Sequence, residues 1–107
     1  MPKFLIKASY SAHGIKGVVA EGGTGRAEAV GKAIAGVGGQ MESFYFAFGS
    51  DDVYIVADIP DNKAAIAMAA TVGATGALSS YETVVLLEPT EIDEALRQSV
   101  DYRPPGG

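Results

Sequence analysis

From Lys3 to Ser9 the chain alternates, with Phe4, Ile6 and Ala8 on one side and Lys3, Leu5 and Lys7 on the other, and this period of two predicts a strand. Tyr10 to Gly14 is then an exit loop, and Ile15 to Ala20 has room for one helical turn. Gly22-Gly23-Thr24-Gly25 is expected to break that turn, because glycine brings the largest backbone entropy cost into a helix interior. From Arg26 the period lengthens. Ala27, Val30, Ile34 and Val37 form one stripe of an amphipathic helix, with Arg26, Glu28 and Lys32 off it and Gly38-Gly39 ending it. Two apolar runs follow, Phe44 to Phe48 and Val53 to Ile59, parted by Gly49-Ser50-Asp51-Asp52, which is the pattern of an antiparallel hairpin. Pro60 stops the second run, and Asp61 is placed to cap an alanine-rich helix over Lys63 to Thr75. Ser80 to Glu88 gives a fourth strand dense in β-branched residues. Pro89-Thr90 supplies a break and an N-cap for a short helix over Glu91 to Val100, and the tail from Asp101 to Gly107 is expected to be mobile.

The order β, α, β, β, α, β with a terminal helix predicts an α+β, ferredoxin-like domain over residues 1–100. Two split βαβ units give a four-stranded antiparallel sheet ordered 4-1-3-2, with both long helices on one face. The strand patterns are apolar on both sides: Val53, Ile55 and Ala57 back onto Tyr54, Val56 and Asp58, and Tyr81, Thr83 and Val85 onto Val84 and Leu86. One helix layer covers one side only. The other would leave a patch larger than soluble monomers usually expose, so a two-fold homodimer through the helix-free face is expected.

Composition narrows the partners. The 107 residues, 48% hydrophobic, suffice for one domain with a core. Thirteen acids against eight bases give a net charge of −5, which opposes nucleic acid and anionic membrane surfaces as partners. No apolar run approaches the roughly 18 residues of a membrane span, and MPKFLIKAS lacks a secretory h-region, so a cytoplasmic protein is expected. With no cysteine and one histidine, neither a metal site nor a cofactor is implied.

Several of these features occur together in a known family. Arg26 opens the first long helix, Gly38-Gly39 precedes the aromatic strand Ser43-Phe44-Tyr45, the hairpin turn carries a glycine and an aspartate, Asp58 and Pro60-Asp61 follow strand three, and Thr83 lies on the last strand. Over Phe4 to Glu88 the chain resembles the GYD-domain proteins, small bacterial ferredoxin-like domains akin to the dimeric α+β barrels. The resemblance implies fold and dimer more than activity, because function lives in a site and not in a fold. The naming motif is incomplete, since Ser50 or Asp51 stands where its tyrosine is expected; a function carried by that tyrosine would be missing here.

Two clusters are candidates for chemistry. The topology gathers Tyr10, His13, Asp51, Asp52 and Tyr81 at one rim of the sheet, where an imidazole beside a carboxylate makes a general base. The plainer reading is a solvated histidine and a polar turn. Lys7 and Asp58 lie on the mixed face, where a ligand cavity between two sheets would place Tyr45 or Tyr54 beside them; the plainer reading is an ion pair that sets dimer register. Gly22 to Arg26 invites a phosphate site but lacks the spacing of a phosphate-binding motif, and a flexible linker fits better. The leading expectation is a homodimeric small-ligand-binding, structural or regulatory domain. The alternative is a small cofactor-free enzyme acting on an apolar molecule.

Overall fold

The computed structural model describes residues 1–107. Its elements run β1 (Lys3–Tyr10), α1 (Ala12–Gly36), β2 (Gln40–Phe46), β3 (Val53–Asp58), α2 (Asn62–Gly73), β4 (Leu78–Leu86) and α3 (Pro89–Leu96). The strands form one antiparallel sheet in the order β2-β3-β1-β4, the expected ferredoxin-like arrangement. No helix is long and apolar enough to cross a membrane.

The period of two in β1 and β3 decides which side the helices cover. Phe4, Ile6 and Ala8 lie opposite Ala57, Ile55 and Val53, and all six are buried beneath α1 and α2. Ile34 of α1, Met68 of α2 and Ile59 complete that core, with Ile34 entirely shielded. The other side carries Leu5, Tyr54, Val56, Tyr45 and Val84 between charged residues, and none of them is buried.

The first helix differs from expectation. It starts at Ala12, because the Ser11 hydroxyl accepts the Gly14 N–H at 3.0 Å and caps it. Gly14 fits there only without a side chain, since a Cβ would stand 1.9 Å from the Ala77 carbonyl oxygen. The glycine-rich stretch is no linker: α1 runs through it with a single kink at Gly22, whose φ of 82° and ψ of 166° are open to glycine and strained for other residues. Gly39 then donates to the Ile34 carbonyl at 2.9 Å and closes the helix.

Smaller differences follow from capping and edge geometry. α2 begins as expected, the Asp61 carboxylate accepting the Ala64 N–H at 2.9 Å. α3 begins earlier than expected: Glu88, not Thr90, is its N-cap, in a reciprocal capping box with Glu91, and Pro89 sits inside the first turn. β2 begins at Gln40 and ends at Phe46, with a register shift between Met41 and Ser43, so Phe48 lies outside the strand and fully exposed. β4 likewise begins earlier, at Leu78. α3 and the tail are exposed throughout, and the particle measures 58 × 32 × 24 Å with a radius of gyration of 17.2 Å. A compact chain of this length would have about 13 Å.

Candidate functional site

Between the sheet and the two long helices lies a cavity of about 210 Å³. Its floor is Ile6, Ala8, Val53 and Ile55, its walls include Val30 and Val72, and most of its lining is apolar. Small side chains leave the space open. Ala29 and Ala33 on α1 and Ala77 before β4 stand where larger residues would fill it. The same period that brings Ala29, Val30 and Ala33 to the cavity brings Arg26, at positions i, i+3, i+4 and i+7 of one helix face.

The lining also carries polar groups, from Tyr10, Arg26, Thr71, Thr75 and Tyr81. Tyr10 and Tyr81 both line the cavity, and burial pushes both phenols above the ordinary tyrosine range; the Arg26 charge opposes the shift at Tyr10. Arg26 Nη1 lies 3.2 Å from Glu21 Oε1, and its Nε is buried without a hydrogen-bond partner. That contact depends on the kink. In a straight helix, residues five apart point roughly 140° away from each other, and the turn at Gly22 swings Glu21 back onto Arg26.

The predicted rim cluster is brought together only in part. Tyr10 is its hub: its N–H donates to Asp52 Oδ2 at 2.9 Å, it shares the cavity with Tyr81, and it shares a second, more polar hollow with His13. The general-base arrangement is not formed. Asp52 is committed to the Tyr10 N–H, and Asp51 to the Ser9 hydroxyl at 3.2 Å and Lys7 at 3.7 Å, so neither carboxylate orients the exposed His13 ring.

The expected partnership of Lys7 with Asp58 is corrected by register. Asp58 lies opposite Lys3, and their charged ends meet at 3.1 Å, with Glu42 adding a contact to Lys3 at 3.3 Å. Lys7 lies opposite Tyr54 and Glu82 and pairs with Glu82 at 3.3 Å. Four residues along a strand separate the two lysines by roughly 13 Å. Hydrogen bonding to Asp58 raises the Lys3 pKa and hydrogen bonding to Glu82 raises that of Lys7. Tyr45 and Tyr54 face each other across β2 and β3 on this same helix-free side. The 210 Å³ cavity is on the opposite side of the sheet from all four residues expected to bind a ligand.

Sequence reasoning missed Arg26 as a cavity residue because it lies off the large-residue stripe. The available signal was a second, finer stripe of Arg26, Ala29 and Ala33. In comparisons with known proteins, a family model described as GYD domain matches residues 4–96, and no curated protein matches the chain.

Proposed function

This chain belongs to the GYD-domain family, and we propose that it is a homodimeric binding protein that takes up a small, mainly apolar molecule in each subunit. The observation that carries this reading is the cavity of about 210 Å³ between helices and sheet. A dry engineered cavity of about 150 Å³ is enough to bind benzene, so this one has room for a ring or a short chain. Tyr10, Tyr81 and Arg26 in its lining supply a few polar contacts among mostly apolar residues, the usual make-up of a ligand site.

The dimer contributes the scaffold. On the helix-free face each lysine already lies beside an acid, Lys3 with Asp58 and Glu42, Lys7 with Glu82 and Asp51, which favours burial of that face over burial of unpaired charge. Leu5, Val56 and Val84 form an apolar row between the two charged rows. A second copy turned through two-fold symmetry sets apolar row on apolar row.

The cavity part is open to test by amide NMR titration with 1-octanol. Shifts at Ala33, Val72 and Met68 with Tyr45 and Val84 unmoved support the reading. No shifts at millimolar octanol, or shifts confined to the helix-free face, refute the cavity as the binding site.

A further inference from the structure

The apolar cavity and the second hollow lie side by side and share Tyr10, Arg26 and Ala77 in their linings. A molecule with its body in the first would bring a polar head to Arg26 at their common wall. The hollow carries Lys16 and Arg26 against one acid, Glu21, in a chain whose net charge is −5. Its local excess of positive charge runs against the rest of the molecule.

The arginine is only partly used. An arginine offers Nε and Nη2 along one edge, and that edge takes a carboxylate through two parallel N–H···O bonds. Glu21 holds Nη1 instead, at 3.2 Å, and Nε is buried with no acceptor. Glu21, brought back by the kink at Gly22, takes Nη1, and no carboxylate is paired with Nη2. A guanidinium with a spare N–H group beside an apolar cavity gains from an anionic acceptor.

Resting on the cavity reading above, we propose that the molecule bound is an amphipathic carboxylic acid, its carboxylate on the accessible part of the Arg26 guanidinium, with Lys16 adding attraction at longer range. The cavity suits a body the size of a single ring or a chain of medium length. Alcohols and hydrocarbons of the same size fit the cavity and lack the second contact.

The test is a calorimetric titration of the full chain with octanoate and with 1-octanol, at neutral pH and low salt. Octanoate is expected to bind at least about tenfold more tightly, as a charge-assisted pair in a sheltered site implies. Arg26→Gln should remove that preference, lowering octanoate affinity at least about tenfold more than octanol affinity, because only the acid loses a charge-assisted pair. Glu21→Gln keeps the arginine and should retain or tighten octanoate binding; it provides the readout if Arg26→Gln does not fold. Equal binding of acid and alcohol by the unmodified protein, with cavity amides shifting, overturns the head-group assignment and leaves the cavity reading intact. Loss of octanoate binding in Glu21→Gln also overturns it. Binding of neither compound overturns both.

Discussion

The two sides of the sheet solve the same problem in opposite ways. On the covered side the helices shield Phe4, Ile6 and Ala57 almost completely, yet alanines leave a void beside them that Arg26, Tyr10 and Tyr81 also line. On the other side the apolar residues stay half-exposed, and every lysine is neutralised by an acid one strand away. The difference separates roles: incomplete packing with a partly used cation suits a small molecule, whereas a flat, charge-matched surface suits a second protein surface. The ligand expected beside Lys7 and Asp58 falls on the charge-matched side, whereas the cavity within the subunit lies on the other.

Truncating one side and then the other gives the strongest contrast. Ile34→Ala, at a fully shielded position, should cost about 2–5 kcal/mol in chemical denaturation. Val84→Ala on the open side should cost under about 1 kcal/mol at protein concentrations where the chain is monomeric. An equally large loss at Val84 under those conditions would mean that something within the subunit already covers that face.

A charge placed in the apolar row acts on assembly more than on the fold. If the proposed dimer forms through this face, Val56→Lys should shift it to monomer in sedimentation equilibrium with little change in far-ultraviolet circular dichroism. A dimer that persists unchanged would move the interface elsewhere. Filling the void is milder still. Ala33→Leu should change stability by no more than about 1–3 kcal/mol in either direction while abolishing octanol and octanoate binding. Retained binding would place the ligand outside the cavity.

The smallest effect is alkaline. Lys3, Lys7, Tyr10 and Tyr81 all have raised folded-state pKa values, two from carboxylate partners and two from burial. In each case the protonated form favours the fold, so their contribution is present at neutral pH and is lost as pH rises above about 10. Molar salt should weaken the lysine part and spare the tyrosine part, since burial is not screened. Stability that rises between neutral pH and pH 11 would contradict the signs for both sides.

The fold was legible because β1 and β3 keep a strict period of two and because Asp61 and Gly38-Gly39 mark helix ends by their own backbone chemistry. The match to the GYD-domain model agrees with the resemblance seen in the residues. Glycines misled the reading of α1, since only Gly22 leaves helical geometry and its neighbours are tolerated within the helix. The β2 start was hidden by its polar first residues and its bulge. The site was hidden by size: periodicity weighs large apolar residues, and a cavity is written in small ones. The partners of Lys3 and Lys7 depend on register, which a face pattern alone does not supply.

The C-terminal arm, exposed throughout, belongs to a particle 58 Å long, and that length also governs how the molecule moves through solvent. Frictional drag follows shape as well as mass, so a single chain should elute early from a sizing column, near the volume of a compact globule of greater weight. Light scattering reads mass without that bias, and removing residues 89–107 should delay elution by far more than the lost weight accounts for.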